Sequence, residues 1–294
     1  MAEIRTGGTA DIPQQKALWK IAFGDEDAYI DRFYANRDLS QSLLLFDGGV
    51  LCSMVSLLPM AVVLPDGRTA ASAYIYALAT YPQARGKGYA RALLRAADTL
   101  LKKQGRDCVL VVPSGPSLHP FYQSAGFQEC FSTRVATLAA AEGRQAVQGM
   151  FQPLPSAGGA RQYNALRERL LAGTLHVSYP DTLIAYQQAI SQAGNCGLFA
   201  CRFHGAAALA AVEAAPGGVL AVKELLAGPG LTPRAAALLA QQLPAALYQV
   251  RTPVQSAPLP GSEDRPMGMV KWYNGALEQA CRQGRPGYMG LLFD

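Results

Sequence analysis

The apolar positions of this chain switch between a helical and a strand period. From Tyr89 to about Gln104, the residues Tyr89, Leu93, Ala97 and Leu100 recur at helical spacing, with Leu94 and Leu101 beside them. That predicts an amphipathic helix, ended by Gly105. Cys108–Val112 follows as a short, wholly apolar run, the pattern of a strand buried on both faces. Upstream, Ser42–Asp47 and Val50–Leu64 read as two strands joined at Gly48-Gly49, a hairpin signal. After the Asp66-Gly67 turn, Thr69–Tyr81 is a third and unusually long strand. Ahead of these, Thr9-Ala10-Asp11-Ile12-Pro13 opens a helix continued by Leu18, Trp19, Ile21, Ala22 and Phe23, with Thr9 or Asp11 as cap. Gly24 interrupts it, and Asp25-Glu26-Asp27 opens a second helix through Tyr29, Ile30, Phe33 and Tyr34. A short helix near Leu118–Ser124 and a strand Phe127–Leu138 complete the first half.

A stretch rich in Gly, Pro, Ala and Gln, from about Glu142 to Gly159, reads as a linker. Beyond it the order returns: a hairpin of Leu198–Phe203 and Ala206–Ala214, a strand Val219–Ala227, a helix Pro233–Gln242 and a buried strand Ala246–Val250. Gly268–Tyr273 and Tyr288–Phe293 read as two late strands. The second half repeats the first without residue identity, so the chain is expected to hold two copies of one α+β fold, at 1–145 and 146–294.

Composition narrows the function. At 294 residues and 50% hydrophobic the chain has material for two cores, and with 16% charged residues it is not a disordered chain. No apolar run approaches the ~20 residues that span a bilayer. The start, Met1-Ala2-Glu3-Ile4-Arg5, has no apolar leader segment, which points to the cytoplasm. A net charge of +5 is mild and requires no nucleic-acid partner. Cys52, Cys108, Cys130, Cys196, Cys201 and Cys281 form no C-x-x-C pair, and His119, His176 and His204 have no ligand spacing, so free thiols and no metal are expected.

The segment that carries chemistry is Leu78-Ala79-Thr80-Tyr81-Pro82-Gln83-Ala84-Arg85-Gly86-Lys87-Gly88-Tyr89-Ala90. A strand runs into a Gly-containing turn that opens directly into a helix, whose first N–H groups and dipole favour an anion. Gly86 and Gly88, lacking Cβ atoms, let a phosphate approach the backbone. Between 85 and 106 stand seven cations, Arg85, Lys87, Arg91, Arg95, Lys102, Lys103 and Arg106, against one acid, Asp98. A polyanion with a pyrophosphate fits. A mononucleotide P-loop does not, because Gly88 and not Ser or Thr follows Lys87. The dinucleotide fingerprint fails too, since Ala90-Arg91 stand where its third Gly belongs.

What remains is a Q/R-x-x-G-x-G/A pattern, Gln83 to Gly88, and here the chain resembles the GNAT superfamily of acetyl-CoA-dependent N-acetyltransferases. The resemblance covers about residues 3–140, and a second signature of the family is matched by Phe121-Tyr122-Gln123-Ser124-Ala125-Gly126-Phe127. It implies tandem GNAT-like folds, each a mixed, mostly antiparallel sheet flanked by helices. The second half is the degenerate copy, as in two-domain bacterial members. The aminoglycoside-acetylating enhanced-intracellular-survival proteins are a looser likeness, being longer and carrying a further domain.

By that resemblance the backbone of Leu78, Ala79 and Thr80 pairs with the pantetheine of acetyl-CoA, and an N–H near Leu78 polarises the thioester carbonyl. The pattern residues Gln83, Arg85, Gly86, Lys87 and Gly88, with Tyr89 and Ala90, form the pyrophosphate turn, and Ser114 stands where pantetheine enters. Tyr122 is the expected acid that protonates the leaving thiolate. Better-known members carry a glutamate base on the strand before the turn, and Thr69–Pro82 contains no carboxylate. The terminal Asp294 is a candidate base by likeness to the enhanced-intracellular-survival proteins. The acids Asp25, Glu26, Asp27 and Asp31 suit either a cationic amine or plain helix capping. In the second half, Ala227-Gly228-Pro229-Gly230-Leu231-Thr232-Pro233 stands in place of the phosphate turn, and its prolines remove N–H donors. That copy is expected to bind no cofactor, walling the acceptor cavity or making a homodimer interface, with Lys271-Trp272-Tyr273 a segment that could reach the cavity. The expected activity is acetyl transfer to a primary amine, without nucleic-acid or membrane partners. The alternative is a non-catalytic acyl-CoA-binding or sensing protein that keeps the fold.

Overall fold

Residues 2–139, 147–194, 196–203, 205–282 and 284–291 are described by the computed structural model. In chain order the elements are β1 (Glu3–Thr6), α1 (Ile12–Phe23), α2 (Asp27–Ala35), β2 (Gln41–Asp47), β3 (Val50–Val63), β4 (Thr69–Thr80), α3 (Tyr89–Lys103), β5 (Cys108–Val111), α4 (His119–Gln123) and β6 (Gln128–Ala139). There follow β7 (Gln152–Pro153), α5 (Gly159–Leu170), β8 (His176–Ser178), α6 (Asp181–Ala193), β9 (Gly197–Phe203), β10 (Ala206–Ala215), β11 (Val219–Ala227), α7 (Thr232–Gln242), β12 (Leu247–Thr252), β13 (Glu263–Trp272) and α8 (Gly275–Arg282).

Two packed units result, and each takes a segment from the opposite end of the chain. The first comprises 1–62, 69–129 and 269–282; the second comprises 63–68, 130–268 and 283–294. This differs from a cut at 145/146, a point that lies in 140–146, outside the described residues. The reason is strand pairing. Met269–Trp272 of β13 lies antiparallel to β5, with Met269 opposite Val111 and Trp272 opposite Cys108, which places it in the first unit's sheet. Arg134–Ala139 of β6 lies antiparallel to β12 in the second.

In the first unit the sheet runs β1-β2-β3-β4-β5-β13. The β1–β2, β2–β3 and β5–β13 pairs are antiparallel, whereas β4 and β5 are parallel. That parallel pairing spans only Ser72–Ile75 against Cys108–Val111. β4 runs five residues further, to Thr80, while β5 stops. The two strands therefore part, and the end of β4 has no β5 neighbour. Ala77, the one non-glycine residue with positive φ (+50°) among those described, sits just past the point of parting. One face of this sheet takes α3, whose Leu93, Leu94, Ala97 and Leu101 pack with Leu43, Val55, Ile75, Val109 and Val111. α1 and α2 pack aromatically with β4: Trp19 is edge-on to Tyr76, with ring centroids 5.5 Å apart, and tilted against Phe33 at 4.9 Å.

The second unit runs β6-β12-β11-β10-β9-β7 and repeats the device. β11 and β12 are parallel over Val219–Val222 against Leu247–Val250, and β11 again overruns by five residues, to Ala227. The turn to the next helix differs: Tyr81–Gly88 in the first unit is eight residues, Gly228–Leu231 in the second only four. α5 and α6 hold the place in this order that α1 and α2 hold in the first, and their apolar pattern is too diluted by polar core residues to predict them. Arg167 of α5 and Glu224 of β11 are both fully buried and paired at 3.0 Å, and Tyr163 donates to Glu224 at 2.9 Å. The expected strand Tyr288–Phe293 is not formed: Gly287 and Tyr288 make isolated bridges to Phe131 and His176, Gly290 takes φ +76°, and 292–294 lie outside the described residues. β13 begins at Glu263, ahead of the expected Gly268.

Candidate cofactor site

The site in the first unit begins where β4 outruns β5. Ala79 is tied to β3 by Ser53, whose hydroxyl donates to the Ala79 carbonyl at 2.7 Å, and the Tyr81 N–H donates to the Cys52 carbonyl at 3.0 Å. β3 thus holds one edge of the strand end. The opposite edge of Leu78–Thr80 lies beyond the reach of β5, where the Thr80 carbonyl accepts from the Arg85 Nε at 3.4 Å and an extended ligand has room to add as a strand.

From Thr80 the chain makes a short turn and reaches α3 through Gly86 and Gly88, at φ +78° and +79°. A Cβ at either position would point into open space, so the conformation and not crowding requires glycine there. The cap residue Gly88 has no side chain to satisfy the helix start. Among the described residues, the backbone N–H groups from Gly86 to Arg91 donate to no acceptor. Six donors at the positive end of a 15-residue helix form an anion-binding nest. A depression of about 290 Å³ lies over them, lined by Thr80, Ala84, Arg85, Gly86, Gly88, Tyr89, Ala90, Arg91 and Phe121.

Neighbouring side chains fix this turn. Tyr89 donates its hydroxyl to Asp47, at the tip of the β2–β3 hairpin, at 2.6 Å, and that bond pushes the phenol up to about 12. Arg91 donates to Ser124 at 2.9 Å and lies 5.8 Å from the Phe121 ring centre, which links the start of α3 to α4. The Lys87 ammonium stands 5.9 Å from the Tyr89 ring centre. Asp47, Ala84, Arg91 and Phe121 were not predicted as site residues; only Phe121 and Arg91 carried a sequence signal, one in the aromatic pair and one in the basic cluster.

Tyr122 sits on α4 with its ring 7% exposed, edge-on to Phe121 and to Phe127 at 5.1 and 5.7 Å. Burial pushes its phenol up to about 12. Its hydroxyl makes no hydrogen bond to a described residue, yet it is not among the sealed, unpartnered polar atoms of the core, so it reaches solvent. At neutral pH it is a neutral phenol.

The structure brings Thr80, Arg85, Gly86, Gly88, Tyr89 and Ala90 together around the depression. It does not bring Gln83 or Ser114 there; both are exposed, Gln83 in the turn before Arg85 and Ser114 after β5. Asp294 lies outside the described residues. Three of the four acids at the start of α2 are occupied: Asp25 accepts from the Trp19 indole at 2.7 Å, Asp31 pairs with Lys16 at 2.7 Å, and Asp27 with Lys20 at 3.0 Å. They join α1 to α2. Lys271 and Tyr273 are likewise committed, both to Asp98 of α3, at 2.5 and 2.6 Å.

A mixed sheet that parts between two parallel strands, above a glycine turn with unpaired amides, is the architecture of GNAT folds. Residues 3–130 match the family model described as "Acetyltransferase (GNAT) domain". This part of the chain is similar to that family's domain. Three solved structures share the fold across both units. A protein of Enterococcus faecalis described as a probable N-acyltransferase is 17% identical with a TM-score of 0.74, over 93% of this chain and 73% of its own. A GCN5-related N-acetyltransferase from Kribbella flavida is 15% identical, TM-score 0.69, over 93% and 72%. Eis1 from Mycobacterium abscessus is 16% identical, TM-score 0.69, over 96% and 76%. No curated protein matches the sequence. Among the described residues no helix is long and apolar enough to cross a membrane.

Proposed function

We propose that the protein is an N-acetyltransferase that moves an acetyl group from acetyl-CoA to a primary amine by direct attack in a ternary complex. The observation that carries this reading is the run of unpaired amides, Gly86 to Arg91, set at the end of a strand whose neighbour has turned away. The amides of Gly86 to Ala90 receive the pyrophosphate, and the edge of Leu78–Thr80 away from β3 receives the pantetheine amides. A backbone N–H near Leu78 stabilises the oxyanion as the amine attacks the thioester carbonyl. The new C–N bond forms, the C–S bond breaks, and Tyr122 gives its proton to the departing thiolate. The amine's own proton leaves to water, since β4 offers no carboxylate. Holding both reactants in one cleft supplies much of the acceleration.

The test is thiol release from acetyl-CoA in the presence of a panel of primary amines. Wild type is expected to turn over at least one amine, and Tyr122→Phe to lower kcat by about 100-fold with acetyl-CoA affinity kept. Saturable acetyl-CoA binding with no turnover of any amine would replace the enzyme by a sensing protein.

A further inference from the structure

The cations along α3 are set apart from most others in the chain. Lys16, Lys20, Arg68 and Arg134 each have an acidic partner within 3.0 Å. Arg85, Lys87, Arg91, Arg95, Lys102 and Lys103 are all exposed, and among the described residues none is in an ion pair. The one acid of the segment, Asp98, is consumed by Lys271 and Tyr273. Arg91, Arg95 and Lys102 fall within about 40° of one another on the helix, about 125° round it from the centre of the buried face of Leu93, Leu94, Ala97 and Leu101. The result is a cationic stripe that starts at the phosphate turn and runs about 16 Å along α3.

Free coenzyme A uses the start of that stripe, where its phosphates meet the turn. Arg95 and Lys102 lie about 9 and 20 Å down the helix from Tyr89, and serve a larger anion. We propose that this face docks an acidic carrier protein bearing an acyl thioester on a phosphopantetheine arm, as a second donor for the same transfer. The inference rests on the reading of the site as a pantetheine cleft. In such a donor one phosphate joins the pantetheine to a serine of the carrier. With that phosphate in the turn, the carrier's body stands where adenosine would be, along the outer face of α3, and its acidic surface meets the stripe. The chemistry balances as with the free coenzyme: the C–N bond to the amine forms, the C–S bond breaks, and the arm's sulfur leaves as a thiolate that takes the Tyr122 proton. Charge complementarity of this kind governs the encounter and falls with ionic strength.

The experiment measures binding of acyl carrier protein, acetylated on its arm, to the full chain at low and at physiological salt. Acetyl-CoA and a duplex DNA oligonucleotide are titrated in parallel. Wild type is expected to bind the carrier saturably. Arg95→Glu with Lys102→Glu is expected to weaken that binding at least tenfold and to leave acetyl-CoA affinity within twofold, which also reports that the variant is folded. Arg95→Gln with Lys102→Gln is expected to fall between. Acetyl-CoA binding without carrier binding would overturn the docking proposal and spare the site; loss of acetyl-CoA binding by wild type would overturn both. DNA binding as tight as the carrier's would overturn it as well, making the stripe a general polyanion surface.

Discussion

At the scale of the single residue, the proposed chemistry rests on Tyr122. A phenol held near 12 by burial keeps its proton throughout the neutral range. The sign of the pH dependence follows. kcat/KM should rise with pH as the acceptor amine loses its proton, and then stay level to about pH 10, because the acid is still protonated there. A fall between about pH 8 and 10 would assign the proton donor to another group. The residues of the motif were legible because their task is backbone geometry: Gly86 and Gly88 both take the left-handed conformation that only glycine adopts freely. Asp47 was not legible. It reaches Tyr89 across 42 positions of sequence, and an acid at a hairpin tip has no feature that separates it from an ordinary turn residue.

At the scale of elements, β4, α3, β5 and the α4 aromatic pair were readable because each obeys one period and ends on a glycine or proline. α5 and α6 were not. α5 buries Arg167 among its core residues, and α6 buries Gln187, Gln188 and Ser191, so polar side chains interrupt the apolar stripe on which a sequence reading depends. The Arg167–Glu224 pair also sets a prediction. Arg167→Met leaves Glu224 buried and uncompensated, and should cost about 3–5 kcal/mol in urea unfolding. Adding Glu224→Leu should recover most of that loss. If Arg167→Met alone is neutral, the pair is not what ties α5 to β11.

For the whole molecule, the α+β class and the doubling of the fold could be read from the order of elements, and the exchange of segments could not. Nothing local in Met269–Trp272 says that it pairs with Cys108–Val111 more than 150 residues earlier. The consequence is that residues 1–145 do not contain the whole first unit. Met269 and Val270, both nearly fully buried, would be missing, and β5 would become an exposed apolar edge. Residues 1–145 expressed alone should therefore aggregate or fail to bind acetyl-CoA, and a second polypeptide covering the remainder should restore binding. Stable, binding-competent 1–145 would show that β13 is dispensable to the site.

The central claim is that the turn from Arg85 to Ala90 holds the pyrophosphate of acetyl-CoA. Calorimetric titration of wild type and Gly86→Glu with acetyl-CoA tests it most directly, with circular dichroism to confirm that the variant folds. The account predicts saturable one-site binding to wild type, abolished when a carboxylate and its stem enter the nest. Undiminished binding to folded Gly86→Glu would place the cofactor elsewhere, and no binding to wild type would leave a fold without its chemistry.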